Sequence, residues 1–314
     1  MQDNVKNADT KLIMSPAPHV SDQDSVPKIM FGVVIALIPT LLASLYFFRL
    51  NALRLVVISV AACAITEWAF QKLRGKPITL YDGSAIVTGM LLAFNLPPTL
   101  PGWMAAVGGV VAMGLGKHVF GGLGHNPFNP ALIGRAFLLA SFPAAMIRWT
   151  SPIDGLSTVT PLVQLQMGRI SATYWDMLIG NTGGCIGETS ALAILIGGLY
   201  LLYKRYIDWR IPVGYLGTVA VIALAFGQDP VFHWLAGGLM LGAVFMATDM
   251  VTTPLTRKGK WLFGIGAGII LMVIRQWGSY PEGVTYSILL MNAFTPLLDR
   301  ITRPRPYGEV KVHA

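Results

Sequence analysis

The chain has 314 residues, of which 54% are hydrophobic and 12% charged, and its formal net charge is +8. Soluble globular chains carry roughly 25% charged residues, so few segments here meet water, and a soluble domain with polar helix faces is excluded. The basic residues sit in short segments between apolar runs, which points to a lipid bilayer as the surrounding and excludes nucleic acid as the partner.

Residues 1–28 are polar and contain no early apolar run, so no cleavable signal is expected and the first membrane helix acts as a retained signal. Apolar runs between helix breakers then predict ten transmembrane helices: 29–48, 53–70, 84–94, 103–116 and 131–147, followed by 189–203, 211–226, 232–247, 261–274 and 284–298. The third run follows Asp82 and stops at Asn95-Leu-Pro-Pro98, which predicts a short, tilted or re-entrant helix. Basic residues set the orientation. With the N-terminus in the cytoplasm, seventeen Lys and Arg fall in inside segments and five outside, so both termini are expected in the cytoplasm.

This divides the chain into a cytoplasmic segment (1–28), a first five-helix half (29–147), an extracytoplasmic loop (148–188), a second five-helix half (189–298) and a tail (299–314). Five helices on each side of one outer loop predict two halves of opposite orientation, a layout shared by many transport folds. The echo between Asp82-Gly-Ser-Ala-Ile86 and Glu188-Thr-Ser-Ala-Leu192 agrees with that. So does the pair of Pro-broken segments, His125-Asn-Pro-Phe-Asn-Pro130 and Thr248-Asp-Met-Val-Thr-Thr-Pro254. The fold class expected is an all-α integral membrane protein of about ten helices in two inverted repeats, similar in layout to urea transporters.

Four places offer chemistry. Irregular polar backbone at membrane depth needs burial in protein or a cavity to line, and Gly121-Gly-Leu-Gly-His-Asn-Pro-Phe-Asn-Pro130 is such a segment. Its amides, Asn126 and Asn129, suit the edge of a heterocycle, but Asn129 followed by Pro130 also suits a helix cap. Asp249 is an ionisable group beside an apolar run, either functional or an interfacial cap. Glu67 is open between function and pairing with Lys72 or Arg74, and Arg135, one turn into the fifth run, between a structural acceptor and an anion. The outer loop holds Ser151 to Leu162 and the Gly-rich Gly180-Asn-Thr-Gly-Gly-Cys-Ile-Gly-Glu-Thr-Ser190, either a plain turn or a phosphate cradle that Glu188 opposes. There is no hydrolase triad order, no nucleotide fingerprint and no zinc spacing. The two cysteines, Cys63 and Cys185, are too few for an iron–sulfur cluster or structural zinc within this chain. No catalytic residue and no metal is expected.

The sequence resembles the D subunit of the Rnf complex, the ion-translocating ferredoxin:NAD oxidoreductase, and more distantly the B subunit of the sodium-translocating NADH:quinone oxidoreductase. Carrying the resemblance are Ser15-Pro-Ala-Pro-His19, Asp82 to Leu92 with Leu96-Pro-Pro98, Gly124 to Ala131, Asp154-Gly-Leu-Ser-Thr-Val-Thr-Pro161, Gly184-Cys-Ile-Gly-Glu-Thr-Ser190 and Ala247-Thr-Asp249. The resemblance implies a flavoprotein with FMN attached by a phosphoester to the last threonine of a D-x-x-S/T-G-A-T-like motif. Asp154, Ser157, Thr158, Val159 and Thr160 align with it, which makes Thr160 the acceptor. Thr158 and Val159 replace the usual Gly and Ala, and Thr158 is the fallback. Gly183, Gly184, Gly187, Glu188 and Thr189, with Ser190, would line the same site. A second, non-covalent riboflavin is implied on the cytoplasmic side, near Asn126, Asn129 and Asp249.

The expected role is an electron relay between the two flavins, coupled to Na⁺ or H⁺ movement in a bacterial cytoplasmic membrane. The other Rnf subunits (A, B, C, E and G) would be the partners, exchanging electrons through flavin or iron–sulfur carriers and binding NAD and ferredoxin. A channel of urea-transporter-like architecture, or a scaffold subunit without cofactor, are the competing readings.

Overall fold

Apolar runs bounded by Pro, Gly and Asp become helices, and the computed structural model describes them over residues 24–152, 157–168, 173–188, 190–278 and 282–304. The described residues are mostly helical, with one two-stranded hairpin. The first two predicted helices form one element, α1 (Val26–Leu73), in which a single non-helical residue, Arg49 (φ 49°, ψ −128°), separates two arms. A 3-10 turn, Leu80–Asp82, leads to α2 (Ser84–Phe94), whose bounds are those the apolar run predicts. Gly83 enters α2 at φ 77°, where a side chain would be strained. The Asp82 carboxylate accepts from the Ser84 N–H at 2.8 Å and hydroxyl at 2.6 Å.

The next elements are interrupted. α3 (Gly102–Met113) continues into a π turn, Gly114–His118. α4 (Pro130–Ser141) begins on an Asn129 cap with Pro130 in its first turn, where a missing N–H costs nothing. Phe142 then leaves helical geometry and Pro143 opens a short α5 (Pro143–Met146), so the fifth run is not one helix. Between α5 and α8 lie an antiparallel hairpin, β1 (Trp149–Thr150) with β2 (Ser157–Thr158), and two single-turn helices, α6 (Pro161–Gln166) and α7 (Tyr174–Ile179).

α8 (Ala191–Tyr203) and α9 (Arg210–Ala225) are unbroken. The eighth run is divided into α10 (Pro230–Leu235), a break at 236–238 with Gly237 at φ 68°, α11 (Leu239–Leu241) and a second π turn, Gly242–Met246. α12 (Arg257–Trp277) and α13 (Val284–Thr302) complete the described chain. α1 and α12 are each long and apolar enough to cross a membrane alone, while α2, α4, α8 and α9 are apolar but shorter.

Small residues set the packing. α1 lies on α2, α3 and α8, α3 on α4, and α12 on α9 and α13, with α13 also reaching α4. A Cβ on Gly197 would stand 2.0 Å from the Ala36 carbonyl oxygen, and one on Gly264 2.7 Å from that of Ile211, so α8 and α12 approach their neighbours through bare backbone. That is how apolar helices gain dispersion contact where burial from water offers little. Leu42, Tyr46, Leu50 and Val57 of α1, Leu199 of α8, and Val221 and Leu224 of α9 are exposed, an apolar exterior that water would not tolerate at this extent.

Two chain breaks meet inside the fold. The Ile186 N–H donates to the Leu96 carbonyl at 3.0 Å, and the Gly187 N–H to that of Phe94 at 2.9 Å. The end of α2 and the approach to α8 therefore satisfy each other's backbone. A Cβ on Gly187 would lie 2.3 Å from that of Phe94, so this contact requires glycine.

Candidate functional site

Polar side chains gather in two places, one at each end of α2. The first is a cavity of about 90 Å³ lined by Ser84 and Thr88 of α2, Lys117 of the first π turn, Asn126, Asn129 and Asp249, with apolar cover from α1 and α8. Three residues expected at one site, Asn126, Asn129 and Asp249, thus share one set of walls.

Their roles differ. Asn129 caps α4, its Oδ1 accepting from the Ala131 and Leu132 N–H groups at 3.1 and 3.3 Å, while its Nδ2 donates to the Met246 carbonyl at 3.4 Å. The cap and the cavity wall are the same residue. Asn126 is 4% exposed and donates from Nδ2 to the Phe128 carbonyl at 3.1 Å, but its Oδ1 is buried with no partner. A buried acceptor without a donor costs about 1–3 kcal/mol, and this amide oxygen is open to an N–H donor in the cavity. The half-buried Asp249 accepts from the Val251 N–H and the Thr252 hydroxyl at 3.3 and 3.2 Å, which fixes its carboxylate at the cavity edge.

Glu67 departs from expectation. Lys72 lies over the Trp68 ring, and Arg74 donates to the His118 carbonyl at 2.5 Å. The partner of Glu67 is instead Lys117, at 2.5 Å, with both side chains almost fully buried. Lys72 and Arg74 follow Glu67 by five and seven positions, off the i+3 and i+4 neighbours that a helix brings together. Lys117 reads in the sequence as one more basic residue at a helix end, and its only distinguishing mark is Gly114-Leu-Gly116 before it.

The second place is a pocket of about 310 Å³ lined by Arg135, Trp149, Thr158, Val159, Thr160 and Glu282 among others. It adjoins a recess of about 10 Å³ walled by Thr160, Gly183, Gly184, Glu188, Gly237 and Glu282. Thr160 and Glu282 belong to both. Thr160 is the cap of α6 and 5% exposed, and its Oγ1 accepts one long bond, 3.5 Å, from the Val163 N–H. Among the described residues it makes no other side-chain hydrogen bond. A Cβ on Gly183 would lie 2.2 Å from Thr158 Cγ2, so the glycine lets the hairpin seat against this turn. Gly187 does not line the pocket, since it packs on Phe94. Asp154 and Thr189 lie outside the described residues, as does the side chain of Ser157.

Arg135 holds this pocket together. Its guanidinium donates to Asn95 Oδ1 at 2.5 Å, to Glu188 Oε1 at 3.4 Å, to Cys185 Sγ at 3.6 Å, and to Glu282. Burial pushes the Glu282 carboxyl up to about 7, against the opposing pull of Arg135. Glu282, in the turn before α13, is a pocket residue that sequence reading missed, a lone carboxylate next to a glycine. Cys185, Glu188 and Glu282 present ligand atoms within 4.8 Å of one another, a spacing that could hold a metal. The Arg135 guanidinium stands among all three and already supplies the positive charge, so this donor set reads as an ion-pair network.

The NQR2, RnfD, RnfE family model matches residues 13–308. Among curated relatives, the chain is 51% identical to the D subunit of the Na(+)-translocating ferredoxin:NAD(+) oxidoreductase complex of Acetobacterium woodii, over 96% of each chain. It is 47% identical to the D subunit of the proton-translocating ferredoxin:NAD(+) oxidoreductase complex of Clostridium ljungdahlii, over 94% of this chain and 96% of the relative. It is 43% identical to the D subunit of the ion-translocating oxidoreductase complex of Stutzerimonas stutzeri, over 91% of this chain and 93% of the relative.

Proposed function

The chain belongs to the NQR2, RnfD, RnfE family, and on that premise we propose that it is the D subunit of an ion-translocating ferredoxin:NAD oxidoreductase carrying two flavins. FMN is bonded through its phosphate to Thr160, and riboflavin sits without a covalent bond in the Asn126 cavity. The observation that carries this reading is that each pocket holds a polar group whose unused capacity suits a different kind of attachment. At Thr160 it is a buried hydroxyl with one weak acceptor contact, and at Asn126 a buried carbonyl oxygen with no donor.

Flavins accept one or two electrons, so they suit a relay between one-electron iron–sulfur carriers and a two-electron acceptor. The protein's contribution is placement. Thr160 would tether one ligand, with Thr158, Gly183 and Gly184 shaping the recess, while Arg135 keeps Glu188 and Glu282 compensated beside it. Asn126 would accept from the ring edge of the other, with Asn129 and Asp249 fixing the walls. α2 joins the two pockets, with Ser84 and Thr88 on one and Asn95, at its end, holding Arg135 of the other. α4 joins them as well, with Ala131 on the first and Arg135 on the second.

The reading includes ten membrane crossings in two opposed halves, with both termini in the cytoplasm, the Asn126 cavity on that side and the 148–188 segment outside. Two features support the duplication. Each half contains a π turn, Gly114–His118 or Gly242–Met246, and each turn leads through a Pro-containing segment to a capped helix, α4 on Asn129 or α12 on Thr256. NAD, ferredoxin and iron–sulfur carriers would belong to other subunits of the complex. The coupling ion is Na⁺ or H⁺, a property on which relatives of 51% and 47% identity differ.

The test is a deletion of this chain from its native complex, complemented with wild-type protein. Reduced-ferredoxin-dependent NAD reduction in membranes should vanish on deletion and return on complementation. The complementing chain should keep flavin fluorescence after denaturation. Full activity without the chain, or a wild-type chain lacking any flavin, would overturn the proposal.

A further inference from the structure

Among the described residues, Lys117 is the only Lys or Arg lining the Asn126 cavity, and it is 1% exposed. Its ammonium is gripped by Glu67 Oε1 at 2.5 Å and Ser84 Oγ at 2.7 Å. Lys117 and Ser84 line the cavity and Glu67 does not, so the positive end of the pair stands nearer to whatever the cavity holds. The pair is also incompletely satisfied. Glu67 Oε2 and His118 Nε2, the latter 3.8 Å from Glu67 Oε1, are buried without hydrogen-bond partners. A buried ion pair lacking its full set of hydrogen bonds adds little to stability, and similar apolar side chains would serve a purely structural purpose as well. Asp82 and Asp249 are the carboxylates on either flank, each already engaged with local donors.

In a low-dielectric cavity one unit charge outweighs several hydrogen bonds. We propose that Lys117 sets the reduction potential of the cavity's ligand, with Glu67 as the counter-charge that trims its effect. This rests on the reading above, in which the ligand is a flavin. Each electron delivered by the external reductant adds one negative charge to the ligand. The Lys117 ammonium stabilises the reduced form over the oxidised one by its charge. Asn126 would then recognise the ligand while Lys117 tunes it.

The experiment is a reductive titration with dithionite of the releasable flavin in purified complexes carrying wild-type chain, Lys117→Met, Lys117→Arg and Glu67→Gln, with flavin content measured for each. Lys117→Met should lower the ratio of reduced to oxidised flavin at fixed potential about tenfold, about 59 mV for one electron. Glu67→Gln should shift it in the opposite direction, and Lys117→Arg should stay near wild type. Opposite signs are the decisive result, because a merely structural pair would lose flavin or move both variants the same way. Should Lys117→Met fail to assemble, the upward shift of Glu67→Gln beside an unmoved Lys117→Arg carries the claim. Unchanged potentials in variants that retain flavin would overturn the role of Lys117 alone. A wild-type complex without releasable flavin would overturn the riboflavin assignment and this inference with it.

Discussion

The Asn126 cavity and the Thr160 pocket use buried polar groups in opposite ways. Around Thr160 the charged groups consume one another, since Arg135 bonds Asn95, Glu188, Cys185 and Glu282. Among the described residues lining that pocket, Glu282 Oε1 is the one side-chain oxygen buried without a partner, an acceptor unsuited to a phosphate, and a covalent bond to a hydroxyl would hold a ligand without disturbing the network. Around Asn126 the cavity wall stops short, with Asn126 Oδ1 unpartnered. Such a site can hold a ligand reversibly by completing what the protein leaves open. On the proposed reading, retention by a bond and retention by recognition would be separate designs, reached from the two ends of one eleven-residue helix.

Substitutions at five positions would break or sharpen this contrast. The largest effect is expected from Thr160→Ala, which should abolish covalent flavin entirely while releasable flavin stays, as read by flavin on the denatured chain against flavin in the supernatant. Persistence in Thr160→Ala with loss in Thr158→Ala would move the attachment by two residues. Next is Arg135→Met, which leaves Glu188 and Glu282 buried without their cation. Breaking a buried pair from one side costs about 3–5 kcal/mol, so the solubilised complex should melt markedly lower, with Arg135→Lys intermediate. A wild-type melting temperature in Arg135→Met would show that the pocket is not held by this network.

Asn126→Leu should be milder and confined to the other pocket. Losing one hydrogen bond of about 1 kcal/mol weakens riboflavin binding up to about tenfold, measured by equilibrium dialysis, with covalent flavin unchanged. The smallest effect concerns Asp208, beside the Tyr206 and Ile207 wall of the same cavity. Burial raises its carboxyl, but the Arg210 N–H, and Lys260 at 3.0 Å, outweigh that and hold it below its usual range. A depressed carboxylate adds stability that is present above its unfolded pKa and lost as pH falls through the folded value. Asp208→Asn should therefore cost less than about 1 kcal/mol at neutral pH and nothing at acidic pH, in melting curves taken across that range. An equal loss at both would remove the ion pair from the account.

The sequence made one pocket more legible than the other. Asn126, Asn129 and Asp249 could each be singled out because amides and a carboxylate beside Pro-broken apolar runs are costly unless they do something, while the resemblance alone grouped them. Local spacing also foresaw α2 to the residue and the Asn129 cap. It did not foresee Glu67 with Lys117, fifty positions apart, or the meeting of Arg135 with Glu282, because helix packing and not helix spacing joins them. The breaks at Phe142 and at 236–238 fall inside apolar runs that read as continuous, although Pro143 and Gly237-Gly238 mark them. Thr160 was proposed only through resemblance. Threonine–proline at the start of a short helix is common, and nothing in its spacing announces a flavin.

The most direct measurement is the mass of the proteolytic peptide that contains Thr160, taken from the native complex under conditions that preserve phosphoesters. The account predicts a peptide heavier by one FMN less water, fragmenting at Thr160, together with riboflavin recovered unbound from the same preparation. An unmodified peptide, or flavin mapped to a residue outside the Thr160 pocket, would contradict it.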